Sequence, residues 1–304
     1  MISPDLRRKR LLIEFGLMLE NAPTFACIDK GLSRYLGVIP GCGLYDGGYF
    51  VVEFLLPSAY PYCPPLVLWY TPIWHPNVSK PRPNVIVSMG SGGMIFAPCF
   101  FMEHFKDYTP AHHVFGLIEL IRTYLAEPDT SHPLNFDAAR QLLEDPERFA
   151  REVEAHLKYA DFDKSVALLE RLLRYNLSKG AFKELWEGIF KNLRRQEKPS
   201  DEIEWIRSTM TLVNRLLHKK SIEKAERLMI ESKRRKTPAK RAVRSIARPT
   251  GSICEICLSE ISEDDEVFKC PYCGSLMHVG CLENWMRIKG DICPICGKSL
   301  SHHT

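Results

Sequence analysis

Eight side chains able to ligate a metal crowd the last fifty-one residues of this 304-residue chain, in the order Cys254, Cys257, Cys270, Cys273, His278, Cys281, Cys293 and Cys296. Their intervals read C-x2-C-x12-C-x2-C-x4-H-x2-C-x11-C-x2-C, and they take up seven of the chain's eleven cysteines. Two cysteines separated by two residues grip one ion from a tight turn, so eight ligands make two tetrahedral zinc sites. A segment this short cannot bury enough apolar surface to fold alone, and coordination must stand in for the missing core. The expectation is a finger over residues 251–300 that holds two Zn2+ ions and unfolds without them.

The ligand order resembles the RING family, in which the first and third ligand pairs share one ion and the second and fourth pairs share the other. The resemblance implies Cys254, Cys257, His278 and Cys281 at one site, and Cys270, Cys273, Cys293 and Cys296 at the other. RING ubiquitin ligases receive a charged conjugating enzyme on a shallow apolar groove beside the zinc knuckles, and three positions match that groove. Ile256 lies inside the first knuckle, Trp285 four residues after Cys281, and Pro294 inside the last knuckle. The resemblance implies an exposed anchor for a partner there; the alternative is that Trp285 packs a small core. Two departures stand out. Cys270-Pro271-Tyr272-Cys273 supplies a cysteine pair where most RINGs place a histidine, a pattern shared with PHD fingers, although Asp291 stands where those carry an aromatic residue. Gly297 follows the last ligand where many RINGs have a basic residue, and Lys298 comes one place later.

No apolar leader follows the charged start Met1-Ile2-Ser3-Pro4-Asp5-Leu6-Arg7-Arg8, and prolines at 57, 61, 64, 65, 72 and 76 break the uncharged run 54–79 that would otherwise be long enough for a membrane helix. These features predict an intracellular, cytoplasmic protein, nuclear if eukaryotic, with reduced thiols and no membrane partner. The net charge of +4 is unevenly spread, because residues 232–250 hold eight lysines or arginines and no acid. With two prolines and little apolar periodicity, residues 231–250 read as a solvated basic linker. No aromatic residue interleaves its charges to stack on bases, which argues against nucleic acid as its main partner.

The first half has an α+β pattern. Residues 4–20 read as an amphipathic helix with Leu11, Leu12, Phe15 and Leu19 on one face and Arg7, Arg8 and Arg10 elsewhere. Residues 49–56 and 66–70 read as strands, and residues 111–125, 137–143 and 146–159 as helices. In consecutive order the chain then offers Leu44-Tyr45-Asp46-Gly47-Gly48-Tyr49-Phe50, the corner Tyr60-Pro61-Tyr62-Cys63-Pro64-Pro65, the triplet His75-Pro76-Asn77, the helix-opening Tyr108-Thr109-Pro110-Ala111, and the crossing Ser131-His132-Pro133-Leu134-Asn135. These motifs resemble the ubiquitin-conjugating enzyme (UBC) fold over residues 5–160. RWD domains share the fold and its proline corner but usually lack His-Pro-Asn.

In active members of that family a cysteine carries the modifier as a thioester, and a substrate lysine attacks it. The family's cysteine sits about ten residues after the motif histidine, and here that window, Val85-Ile86-Val87-Ser88, holds no nucleophile. Counted back from the other landmark, Cys99 lies nine residues before Tyr108. A hairpin of residues 84–88 with 93–97, inserted between the landmarks, reconciles the two counts by displacing the cysteine to position 99. The alternatives for Cys99 are thioester nucleophile and ordinary semi-buried cysteine. Asn77 either donates to the oxyanion formed on attack or braces its own loop. Cys27, Cys42 and Cys63 read as packing residues, and His75, His112 and His113 carry no assigned role.

Residues 161–230 show helical periodicity, which fits either a spacer or a docking surface. The domain order is therefore residues 1–160 as a conjugating-type domain, 161–230 helical, 231–250 linker and 251–300 finger. The functional expectation is transfer of ubiquitin or a ubiquitin-like modifier, with an activating enzyme, a separate conjugating enzyme or both, and a protein substrate as partners. The alternatives are a non-catalytic scaffold with an inactive UBC-like domain, and a PHD-like reader with a nucleic-acid-binding linker.

Overall fold

Strands whose two faces are both apolar must be covered on both sides, and that requirement organises this protein. The computed structural model describes residues 4–79, 86–89, 93–96, 99–100, 108–191, 199–235 and 252–301, with the backbone alone for 86–89, 93–96, 99–100 and 231–235. Strands β1 (Phe25–Cys27), β2 (Arg34–Pro40), β3 (Tyr49–Leu55) and β4 (Leu66–Trp69) form an antiparallel meander, and β7 (Cys99–Phe100) adds to the free side of β4. Before β7, β5 (Ile86–Met89) and β6 (Gly93–Phe96) pair as a separate hairpin with Met89 opposite Gly93.

The pleat sends alternate side chains to opposite faces. Phe25, Cys27, Tyr35, Ile39, Phe50, Val52, Phe54, Val67 and Trp69 enter one core, while Ala26, Ile28, Leu36, Val38, Val51, Leu68 and Tyr70 enter another. The first core is closed by α1 (Pro4–Asn21), α2 (Val114–Ala126) and α4 (Pro146–Leu157), through Leu11, Phe15, Leu117, Ile121, Phe149 and Val153, with α3 (Phe136–Glu144) adding Ala138. The second is closed by α5 (Phe162–Asn176), α6 (Lys179–Leu185), the π-helical turn Trp186–Phe190 and α7 (Glu202–Arg235), which contribute Phe162, Leu169, Leu173, Leu185, Phe190, Met210 and Val213. The helical segment is therefore the second cover of the sheet. It shares a core with β1 to β4 rather than holding the two ends of the chain apart.

Local signals set the element ends. Asn135, Asp145, Asp161 and Ser178 each accept a hydrogen bond from a backbone N–H in the first turn of α3, α4, α5 and α6. Helix α2 starts at Val114 rather than at 111, because Thr109 and His112 close a turn first, with the His112 N–H donating to the Thr109 carbonyl at 3.0 Å. Strands β1 and β2 are absent from the sequence expectation. Burial on both faces removes the polar alternation that would have marked β2, and Gly37 and Pro40 lie inside it.

Helix α7 turns the corner of the sheet. It breaks at His218, where φ is −131° and ψ is 26°. Its N-terminal half packs in the second core and Ala225 in the first. At the break the side chains close the free edge of β1: the Cys27 N–H donates to Asn214 Oδ1 at 2.9 Å, Asn214 Nδ2 donates to the Phe25 carbonyl at 3.3 Å, and His218 Nε2 donates to the Cys27 carbonyl at 3.1 Å. A sheet edge left open would be a template for other strands. The helix continues to Arg235, into the segment read as linker, and residues 236–251 lie outside the described residues. Replacing Asn214 by Leu strands a buried N–H and a buried carbonyl, and urea unfolding should report a loss of about 2 kcal/mol or more.

Candidate functional site

The His75-Pro76-Asn77 loop leaves β4 and is fixed by hydrogen bonds from three directions. His75 is fully buried; its Nε2 donates to the Tyr124 carbonyl near the end of α2 at 3.0 Å, and its Nδ1 accepts the Asn77 N–H at 2.9 Å. The Pro76 carbonyl accepts the N–H groups of Leu134 and Asn135 at 2.9 and 2.8 Å. Asn77, also fully buried, donates from Nδ2 to the Asp129 carbonyl at 2.8 Å and accepts the Asp129 N–H at Oδ1, 2.9 Å away. Before the loop, the Tyr45 hydroxyl donates to the Trp74 carbonyl at 2.6 Å, and Trp74 Nε1 donates to Gln141 Oε1 at 2.7 Å. In this geometry the Asn77 carboxamide joins its own loop to the 128–135 crossing.

Cys99 lies on β7 with its backbone opposite Leu68 of β4, and its side chain lies outside the described residues. The hairpin of β5 and β6 occupies the stretch in which a nucleophile ten residues after His75 was expected. Among the other cysteines, Cys27 is buried, which pushes its thiol pKa up, and Cys42 and Cys63 are half-buried. Cys42 Sγ donates to the Arg122 carbonyl at 3.3 Å.

In the C-terminal finger the eight ligands gather into the two interleaved sets expected of a cross-brace: Cys254, Cys257, His278 and Cys281, and separately Cys270, Cys273, Cys293 and Cys296, with donor atoms of each set within 4.8 Å of one another. Cys270 and Cys296, and Cys273 and Cys293, have Sγ atoms 3.9 Å apart, while His278 Nδ1 is 3.4 Å from Cys257 Sγ and 3.9 Å from Cys281 Sγ. Sulfur ligands at about 2.3 Å from a tetrahedral ion stand a little under 4 Å from each other, so both donor sets fit zinc. His278 Nε2, on the far side of the ring, is 3.4 Å from Asp265 Oδ2, the kind of outer carboxylate that orients a ligating imidazole.

Each knuckle closes by a backbone bond: the N–H groups of Leu258, Gly274 and Gly297 donate to the carbonyls of Cys254, Cys270 and Cys293. All three donors have positive φ, 59°, 75° and 71°. Glycine at 274 and 297 meets that demand without strain. Position 297 is thus shaped by the turn, and the nearby cation, Lys298, has its Nζ 5.2 Å from the centre of the Tyr272 ring. The hairpin of β8 (Val267–Lys269) with β9 (Leu276–His278), followed by α8 (Val279–Lys289), carries His278 and Cys281.

Ile256, Trp285 and Pro294, expected at the surface, are buried, with Ile256 at 0% and Trp285 at 1% exposure. Trp285 donates from Nε1 to the Ile292 carbonyl at 2.8 Å. The cluster that holds Ile256 and Trp285 extends beyond the finger, since Tyr62 of the proline corner is buried within it and Leu6 of α1 packs against it. Arg10, expected off the apolar face of α1, is completely buried; its Nη1 donates to the Ile256 carbonyl at 3.0 Å, and its Nη2 lies 2.7 Å from Glu14 Oε1. Glu14 also takes His113 Nδ1 at 2.9 Å and the Val114 N–H at 3.1 Å. Burial works to raise the Glu14 pKa, but the Arg10 charge and the His113 hydrogen bond reverse that and hold it at about 2. Periodicity gave no sign of this buried pair. The i,i+4 spacing of Arg10 and Glu14 was the one local clue.

Together these features define a conjugating-type α+β domain joined to a cross-braced finger for two metal ions. Residues 19–157 match the family model of the ubiquitin-conjugating enzyme, and residues 252–297 that of the Ring finger domain. The chain is 29% identical over 160 residues to ubiquitin-conjugating enzyme E2-20 kDa of Schizosaccharomyces pombe, covering 50% of this chain and 82% of that protein. It is 36% identical over 162 residues to the NEDD8-conjugating enzyme UBE2F of Gallus gallus, covering 51% of this chain and 82% of that one. The chain belongs to the ubiquitin-conjugating enzyme family, and a RING finger follows the family's domain. Among the described residues no helix is long and apolar enough to cross a membrane.

Burial holds His75 neutral by lowering its pKa to about 4, against the opposing pull of the Tyr124 carbonyl. The unfolded chain gains this proton near pH 6.5 and the folded chain only near 4, so the stability tied to His75 is intact above 6.5 and is lost as pH falls through that window. Between pH 7 and 5 the loss should be about 2 kcal/mol in urea unfolding, and His75→Gln should show a shallower slope. His218, whose pKa burial also lowers, adds a dependence of the same sign that both proteins share.

Proposed function

We propose that this chain is a conjugating enzyme and a RING-type ligase in one polypeptide. A ubiquitin or ubiquitin-like modifier, loaded by an activating enzyme onto Cys99, passes to a lysine of a protein substrate while the RING stays seated on the conjugating domain. The observation that carries the reading is the shared cluster of Ile256 and Trp285 with Tyr62 and Leu6, together with the hydrogen bond from Arg10 to the Ile256 carbonyl. Ile256 and Trp285, two RING positions that resemblance assigns to a conjugating enzyme, are here buried in a cluster that includes Tyr62 of the chain's own conjugating domain. That supports a partner held in the same chain.

The hairpin of β5 and β6 supports Cys99 as the carrier, because it accounts for the extra length between His75 and Tyr108. In the transfer step the lysine amine attacks the thioester carbonyl, the isopeptide bond forms, the carbon–sulfur bond breaks, and Cys99 leaves as a thiolate as the amine sheds its proton. Asn77 acts by holding the His75-Pro76-Asn77 loop to the 128–135 crossing. Two Zn2+ ions fold the finger and take no part in the transfer. A lone zinc reader of another protein would leave Ile256 and Trp285 open, which counts against the PHD-like alternative.

Incubation with activating enzyme, ATP and a panel of modifiers should give an adduct that reductant removes and that Cys99→Ala lacks. The contrary result is no adduct, with a separate conjugating enzyme discharging faster when this protein is added. That would leave a RING ligase whose conjugating-type domain is a scaffold.

A further inference from the structure

Arg10 of the conjugating domain and Ile256 of the RING are 246 residues apart in sequence, yet they share a hydrogen bond made by a fully buried charge. Arg10 and Glu14 both have no exposed side-chain surface. A buried ion pair is costly unless hydrogen bonds satisfy both partners, and removing one partner leaves the other charge buried and uncompensated. Here the partners of Arg10 come from three places, and its one hydrogen-bond acceptor among the described residues is the RING carbonyl, since Nε and Nη2 make no hydrogen bond there. Glu14 Oε1 faces Arg10 Nη2, the Ile256 carbonyl of the RING takes Arg10 Nη1, and the Tyr60 ring lies 5.6 Å from the guanidinium carbon. Glu14 in turn binds the first N–H of α2, at Val114, and His113 just before it.

The Ile256 carbonyl sits between Cys254 and Cys257, so the fold of the first zinc knuckle sets its position. The apolar cluster that Leu6 and Tyr62 share with the RING is tolerant of small slides because the hydrophobic effect is non-directional. A charge-assisted hydrogen bond to one carbonyl is directional and fixes the register.

We propose that Arg10 is a positioning residue that latches the metal-loaded RING onto α1 and, through Glu14, ties the start of α2 to the docked state. This rests on the reading of residues 252–301 as a zinc module that works docked. When the knuckle loses its metal, Arg10 loses its hydrogen bond to the Ile256 carbonyl, the pair opens to water, and Glu14 relaxes its hold on Val114. Helix α2 ends beside His75, whose ring donates to the Tyr124 carbonyl, so the docked RING and the His75 loop are anchored on opposite ends of one helix.

Hydrogen exchange on the full chain, with and without a zinc chelator, tests this. Chelation should raise exchange in residues 252–301 and also in residues 108–118, by about tenfold or more at the α2 start, the loss expected for one charge-assisted hydrogen bond. In the double variant Arg10→Met with Glu14→Gln, which removes both charges together, the rise should stay within 252–301, and Arg10→Lys should restore part of the coupling. A wild-type response confined to 252–301 overturns the latch while leaving the zinc reading intact. An equal response at 108–118 in the double variant overturns the role of Arg10. No response anywhere overturns the zinc reading and the latch together.

Discussion

A sheet with two apolar faces cannot be left half covered, and the rest of this protein is arranged to meet that constraint. Side chains alternate along β1 to β4 between two cores, so α1, α2 and α4 close one side and α5 to α7 the other. The chain passes between the layers twice, after α4 beside Tyr49 and again at the β1 edge. At the β1 edge helix α7 breaks at His218, and Asn214 and His218 supply the hydrogen bonds a neighbouring strand would have made. The same turn carries the chain from the second core to α1, the helix on which the RING also rests.

Helix α1 therefore has three jobs that depend on one another. Leu11 and Phe15 seal the first core, Ala225 of α7 joins that core from behind, and Leu6 and Arg10 meet the RING. A surface that serves a core on one side and a docked module on the other can contain a buried ion pair, because water is excluded from both directions. Arg10 and Glu14 occupy that position, and the low pKa of Glu14 follows from the charge beside it.

The site chemistry depends on rigid supports rather than on reactive histidines. His75 is neutral, donates to one carbonyl and accepts one N–H, and Asn77 spends its carboxamide on Asp129. Both hold the loop that follows β4 against α2 and the 128–135 crossing. In the finger, Asp265 beside His278 and the left-handed residues 258, 274 and 297 do the corresponding work for the ligands.

Local spacing made several features legible from the sequence. The ligand intervals specified eight ligands for two metal sites because each knuckle is a turn only a few residues long, and the resemblance to RING fingers implied their interleaving. The prolines and glycines around 46–48 and 60–65 marked corners, and the helices over 4–20, 137–143 and 146–159 were found to within two residues because caps and periodicity are written within each segment. What lacked a local signature was missed. Strand β2 hides its alternation by being buried on both faces. The burial of Arg10, the closure of β1 by Asn214 and the covering of Ile256 and Trp285 arise between residues far apart in the chain. The sequence by itself determined the turns and the eight ligands. Only the tertiary structure decided which charged and apolar groups lose their water, because desolvation depends on what other segments bring to the same place.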